Sequence, residues 1–219
     1  MRIRKKPWAR PELEACPFHI NIPAEFRGRW KEAFARPELP LHVELGCGKG
    51  SFMAQMAYAH PDINFLAVDM ISEMLVLAKR NIEKAYEAEA REISNVRLFT
   101  QNIEYIENAF GPEDQAERIY INFCNPWPRK KHNKHRLTHF RQLEKYKIFL
   151  RHGGEVWFKT DDDGLFEDSV LYFEENGFTI RYLTRDLHSS GFTDSPATEH
   201  ERMFTEKGIP TKFLIAVCK

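Results

Sequence analysis

Apolar positions along the chain alternate between compact strand-like runs and stretches with helical spacing. Residues 41–45 (Leu-His-Val-Glu-Leu) form such a run, and beyond Gly46-Cys47-Gly48-Lys49-Gly50 the residues Phe52, Met53, Met56 and Ala57 recur with helical period from Ser51. Pro61 ends that helix. A second strand is expected over residues 64–68, reaching Asp69, then a long helix over about 72–90 whose inner face carries Met74, Leu75, Ala78 and Ile82. The pattern continues with a strand over 96–100, a short helix over 103–110, a strand over 118–123 and a helix over 138–150 that should close at Gly153-Gly154. Strands over 155–159, 178–183 and 212–218 and a helix over 165–176, closed by Gly177, complete it. Residues 11–40 are Pro-rich without clean periodicity and predict loops with a short helix around 24–34. Strand and helix in alternation imply an α/β fold, with a mostly parallel seven-stranded sheet and helices on both faces. Ligands in such folds bind beyond the carboxyl ends of the strands, where Gly46, Asp69, Asn102, Asn125 and Asp161 all fall.

Two strand ends carry distinctive chemistry. In Glu44-x-Gly46-x-Gly48-x-Gly50 the glycines allow a tight turn and close approach of a ligand to backbone at a helix N-terminus, and Asp69 is placed to accept from a ribose diol. Glu44 puts negative charge where a dinucleotide would carry its pyrophosphate, so a cofactor with a cation there fits better. That pattern resembles the methyltransferases that use S-adenosylmethionine. The second is Phe123-Cys124-Asn125-Pro126-Trp127-Pro128: each proline biases the residue before it away from helix, so Asn125 and Trp127 are expected extended, an amide and an indole held still. The loop resembles in part the Asn/Asp-Pro-Pro-aromatic loop of amino-methyltransferases, in which an aromatic ring stacks on an extruded base.

Composition adds an anionic partner. The 32 basic and 32 acidic side chains cancel, yet basic residues gather at positions 2–10 and again at Arg129, Lys130, Lys131, Lys134 and Arg136, directly after the aromatic loop. Cations beside aromatic residues suit a nucleic-acid backbone. Cys16, Cys47, Cys124 and Cys218 lie far apart with no Cys-x-x-Cys pair, which fits a reducing compartment. His132, His135 and His139 are flanked by cations and completed by no carboxylate or thiol, so no metal is expected. No apolar run approaches membrane-spanning length, and the basic N-terminus lacks an apolar stretch behind it. A cytoplasmic protein is expected, with no membrane association; a monomer and a homodimer fit the sequence equally.

Taken in order, Arg4-x-Lys6-Pro7-Trp8, Glu44-x-Gly46-x-Gly48-Lys49-Gly50, Asn122-Phe123-x-x-Pro126-Trp127-Pro128, Lys131-His132, Arg136-Leu137, Phe158-Lys159-Thr160-Asp161 and Thr198-x-x-Glu201 resemble the bacterial tRNA (guanine-N7-)-methyltransferase family. The resemblance implies a Rossmann-like methyltransferase domain over residues 41–219 behind a basic arm and extension over 1–40. It implies an enzyme that moves a methyl group from S-adenosylmethionine to N7 of a variable-loop guanine in tRNA. It further implies that Glu44, Gly46, Gly48, Gly50, Asp69, Asn102 and Asn125 line the cofactor site. Trp127, Arg129, Asp161, Thr198, Glu199, His200 and Glu201 would then meet the substrate. The chain departs from the family pattern at Asn102 and Asn125, where Asp is usual, and at His200, where Tyr is usual. Asn125 stands at the position usually called catalytic, so two other readings stay open: an exocyclic-amine methyltransferase on RNA or DNA, and a non-catalytic tRNA-binding protein that kept the fold. Thr198-x-x-Glu201 is also a capping box, and Asp161-Asp162-Asp163-Gly164 reads as a strand end followed by a helix N-cap rather than a calcium loop.

Overall fold

The computed structural model describes residues 5–87 and 89–219; Arg2 and Arg4 of the basic arm lie outside the described residues. The strand-forming runs become β1 (His19–Ile20), β2 (Leu41–Leu45), β3 (Asn64–Asp69), β4 (Val96–Thr100), β5 (Ala116–Asn122), β6 (Leu150–Thr160), β7 (Thr179–Thr184) and β8 (Lys212–Val217). The helices are α1 (Ala9–Glu14), α2 (Ser51–Ala59), α3 (Ser72–Glu87), α4 (Phe140–Phe149), α5 (Asp163–Glu175) and α6 (Glu199–Thr205). One sheet runs β1-β4-β3-β2-β5-β6-β8-β7, parallel except for β8, which is antiparallel to both neighbours.

Strand alternation divides the sheet's side chains between two cores. Val43, Leu45, Leu66, Val68, Ile119, Ile121 and Phe158 face α4 and α5. Phe65, Ala67, Leu98, Tyr120, Trp157 and Phe213 face α1, α2 and α3. Full burial of such side chains contributes about 1.5–3 kcal/mol each. Strand addition reverses direction between β2 and β5: β3 and β4 extend the sheet on one side of β2, β5 and β6 on the other. A crevice at the carboxyl ends of β2 and β5 follows from that reversal.

Several expectations need correction. The sheet has eight strands, because His19 and Ile20 pair with Leu98 and Phe99 of β4. The helix expected around residues 24–34 is two 3-10 turns, Pro23–Phe26 and Trp30–Ala33, divided at Gly28 with φ +79°. Asp114 sets that division, accepting from the N–H groups of Gly28 and Trp30 at 3.0 Å each. Gly153-Gly154 caps no helix. Leu150 already pairs with Ala116, and Glu155 with Arg118, so residues 151–154 form an irregular bulge within β6. Met74 leaves the inner face of α3, which carries Leu75, Val76, Ala78, Ile82 and Tyr86 instead, and borders the glycine loop. No helix among the described residues is long and apolar enough to cross a membrane.

Gly50 binds the glycine loop to this frame. Its φ is +66°, and a Cβ there would lie 2.5 Å from Cβ of Ala78 on α3. Gly50→Ala therefore adds backbone strain to a clash and should cost about 2–4 kcal/mol in urea unfolding. Ala78→Gly in the same chain should restore only the part due to the Cβ contact, since Cα of residue 78 stays 2.9 Å from the added Cβ, whereas an unchanged urea midpoint in Gly50→Ala would contradict the packing.

Candidate active site

The glycine loop spends its backbone donors on the protein. The N–H groups of Gly46 and Cys47 both donate to the Val68 carbonyl, at 2.8 and 2.9 Å, that of Gly48 to Asp69 Oδ2 at 2.9 Å, and that of Gly50 to the Cys47 carbonyl at 2.8 Å. A phosphate-binding loop would keep such groups for its anion. Asp69 also accepts from the Ile71 N–H at 2.9 Å. Burial pushes its carboxyl pKa up against these stabilising backbone bonds, and each oxygen keeps lone-pair capacity for a ligand hydroxyl.

Glu44, on β2, is 2% exposed. Its Oε1 accepts from Asn122 Nδ2 at 2.9 Å, and its Oε2 is buried with no hydrogen-bond partner among the described residues. Burial pushes the carboxyl up to about 8. Such a group lacks a cation or a donor. The ammonium of S-adenosylmethionine supplies both, whereas a pyrophosphate would repel the ionised carboxylate, so the residues present fit that cofactor.

Two cavities sharing Gly46 and Phe123 make one cleft. The narrower, about 150 Å³, is bordered by Glu44, Gly48, Met74, Asn122, Glu199 and His200. The wider, about 510 Å³, is bordered by Asp69, Asn102, Ile103, Asn125, Trp127 and Gln142. Asn102 caps the 3-10 segment Ile103–Asn108, its Oδ1 accepting from the Glu104 N–H at 3.0 Å.

The loop after β5 is held by its own asparagine. Asn125 Oδ1 accepts the Trp127 N–H at 3.0 Å, an Asx turn that leaves the Nδ2 donors uncommitted in that bond. Trp127 is not extended as expected: its φ is +45°, and Phe123 is at +51°. The Asx bond pulls the chain round against the preference of a bulky residue before proline. Strained backbone of this kind concentrates at functional loops. The Trp127 ring sits 5.3 Å from that of His135, and Phe123 stacks on His200 with centroids 5.9 Å apart.

The expected basic run divides. Arg129, Lys130, Lys131 and Lys134 are exposed on and beside the 3-10 segment Lys130–His135, next to the wider cavity. Arg136 is 5% exposed and structural, donating to the Pro126 carbonyl at 2.7 Å and pairing with Asp168. Asp161 is half-buried at the end of β6, its carbonyl accepting from Lys212 at 2.9 Å, and Asp162 N-caps α5.

Thr198 and Glu201 do form a capping box at α6. Glu201 is 1% exposed, and its Oε2 takes both the Thr198 N–H, at 3.3 Å, and Lys159 Nζ, at 2.9 Å. Burial draws the Lys159 ammonium below its ordinary pKa while the Glu201 carboxylate opposes it. Thr198, Glu199 and His200 border the narrower cavity, Glu201 does not, and Glu199 pairs with Lys49 of the glycine loop at 2.8 Å. Sequence reasoning missed Met74, Leu137 and Gln142 as cleft residues; Leu137 stands in the Arg136-Leu137 motif without a role assigned to it, and no local motif marks Met74 or Gln142. His135, considered only as a metal ligand, borders the wider cavity instead.

A family model described as "Putative methyltransferase" matches residues 38–214. A tRNA (guanine-N(7)-)-methyltransferase of Ruminiclostridium cellulolyticum is 59% identical over all of this chain and 93% of its own length. The protein of that name from Clostridium beijerinckii is 58% identical over 99% of both chains. Among solved structures, the 16S rRNA methyltransferase KamB aligns with a TM-score of 0.58 at 11% identity, over 82% of this chain and 88% of its own. An antibiotic-related methyltransferase gives 0.57 at 15% identity, over 81% and 86%. These two show the fold, a Rossmann-like methyltransferase sheet. The chain belongs to the methyltransferase family of that model, together with relatives named tRNA (guanine-N(7)-)-methyltransferase.

Proposed function

We propose that the protein transfers a methyl group from S-adenosylmethionine to N7 of a guanine in the variable loop of tRNA, in the cytoplasm. The observation that carries this is a cleft with a buried carboxyl at its narrower end, one oxygen of which, Glu44 Oε2, is unpaired among the described residues, and an aromatic loop flanked by four exposed cations at its wider end. Relatives that match nearly the whole chain at 51–59% identity bear the corresponding name.

When bound, S-adenosylmethionine supplies an electrophilic methyl on a sulfonium. Glu44 and Asn122 would hold its amino end, Asp69 its ribose, and the glycine loop, including Gly46, Gly48 and Gly50, its flank. Guanine N7 is a bare in-plane acceptor, so the reaction removes no proton and gains mainly from alignment. Asn125 suits that task. Its oxygen is engaged by Trp127, and its amide donors can address an acceptor on the same base edge, such as O6. Trp127 offers the stacking face and His135 buttresses it. Arg129 and its neighbours meet phosphates. Asp161, Thr198, Glu199, His200 and Glu201 complete the substrate side, Thr198 and Glu201 by holding the α6 turn and Glu199 and His200 from inside the cleft.

Incubation with total tRNA from a strain lacking the activity should yield 7-methylguanosine and borohydride–aniline cleavage in the variable loop. A methylated exocyclic amine, or none, would sink the proposal. Asn125→Asp keeps the Asx turn and should shift turnover by less than about tenfold, roughly one hydrogen bond's worth; a gain of many orders of magnitude would mean that Asn125 is no competent orienting group.

Glu44 makes cofactor affinity pH-dependent. Its folded pKa is raised, so in the unliganded protein its contribution to stability is full below the ordinary value of 4.5 and is lost as pH rises through about 8. A cationic ligand favours the ionised form and expels the proton. Affinity should therefore strengthen from pH 6 toward 8 by up to about tenfold per unit and decline above that, as the ligand's own α-ammonium loses its proton. Calorimetry in two buffers of different ionisation enthalpy should detect the released proton, and Glu44→Gln should flatten the profile. A flat profile in the unaltered protein would refute this role.

Replacing Arg129, Lys130 and Lys131 together by alanine should weaken tRNA binding and reduce the salt slope by roughly one for each phosphate left without its cation. Cofactor affinity should hold. Unchanged RNA affinity would return these side chains to an ordinary solvated face.

A further inference from the structure

Gln142 is an anomaly in the cleft wall. It lies in the first turn of α4, is 4% exposed, and borders the wider cavity, yet its Oε1 is buried without a hydrogen-bond partner among the described residues. Nine buried side-chain polar atoms among the described residues lack a partner, and of these only Glu44 Oε2 and Gln142 Oε1 belong to residues that border the cleft; a carboxamide is costly to leave in that state, and a leucine of similar size would avoid the cost. A ligand that enters the cavity would supply the missing partner.

Its surroundings say what. α4 packs on the segment that follows β4, where Lys145 pairs with Glu107 at 3.0 Å. Asn102, Ile103 and Glu104 of that segment face the same cavity, with Asp69 and Ile71 from the end of β3. Gln142 is thus among the deep elements of the lobe, whereas Asn125 is exposed and Trp127 half-buried. A base carried on a macromolecule comes to the exposed groups first. A small cofactor can reach the buried amide.

We infer that Gln142 reads the adenine edge of the cofactor, its Oε1 accepting from the exocyclic 6-amino group and its amide nitrogen donating to a neighbouring ring nitrogen. A carboxamide carries that donor–acceptor pair at the spacing an adenine edge presents. This rests on the proposed reading that the wider lobe takes the nucleoside half of S-adenosylmethionine. Gln142 is in that case the residue that distinguishes adenine from purines lacking the 6-amino donor.

The test compares S-adenosylhomocysteine with its 6-deamino analogue by calorimetry, in the full-length protein and in Gln142→Leu and Gln142→Met, with the melting temperature of each unliganded protein recorded. The unaltered protein should prefer the amino compound by about tenfold. Both variants should bind it about tenfold more weakly, lose the preference, and melt no lower than the parent, because an unpaired buried amide has been removed. A preference that survives in both variants, or melting temperatures that fall with the preference intact, would overturn the inference and leave Gln142 a packing residue. Intact preference with weakened tRNA binding would overturn it in favour of a substrate-base contact. Failure of the unaltered protein to bind S-adenosylhomocysteine would instead count against the cofactor reading itself.

Discussion

Burying a carboxylate in the middle of a parallel sheet is the constraint around which this cleft is arranged. β2 is covered on both faces, so water cannot solvate Glu44, and the sheet offers only part of what an ionised group needs. Asn122, on the neighbouring β5, donates to one oxygen, and the Lys159 ammonium contributes positive potential from β6. The other oxygen remains unpaired. A proton meets that shortfall in the free protein and a cationic ligand would meet it in the complex, so binding at that end is coupled to proton release.

The same logic explains the second buried charge pair. Lys159 and Glu201 are 1% and 2% exposed at their side chains, and breaking such a pair costs about 3–5 kcal/mol because a lone buried charge is left behind. The pair ties α6, a helix of under two turns, to the centre of the sheet. Glu201 closes the capping box at the same time, fixing the turn that presents Glu199 and His200 to the narrower lobe. A short helix with little apolar face of its own is thereby positioned by electrostatics rather than by packing.

The parts legible in the sequence were those whose cause is local. The glycine loop, Asp69, the Asp162 cap and the Thr198–Glu201 box each carry a signature within a few positions of sequence, even where their partners are distant, and the two-periodicity pattern located most strands. What escaped depends on partners far along the chain. Gly28 divides a would-be helix because Asp114, 86 residues away, captures its N–H. Arg136 left the basic surface for Asp168, 32 residues on. Two proline rules placed Trp127 in the extended region, and the hydrogen bond its own N–H donates to Asn125 Oδ1 overrode them. Gln142 carries no motif at all: its significance lies in a missing partner, visible only once the cavity around it is known.

The substitution of an amide for a carboxylate at position 125 is easier to understand in this light. An exocyclic amine becomes a good nucleophile as it loses a proton, so its methylation benefits from a nearby acceptor or base. Guanine N7 already exposes its lone pair, and the only charge to manage is the cation that forms. With the Asx turn fixing Asn125 and the strained backbone fixing Trp127, the loop supplies placement, which N7 requires, and little basicity, which it does not. An amide in that position meets the needs of N7, which are alignment alone; because amino-methyltransferases also carry an asparagine at this strand end, the N7 reading over the exocyclic one rests on the relatives that match the whole chain rather than on Asn125.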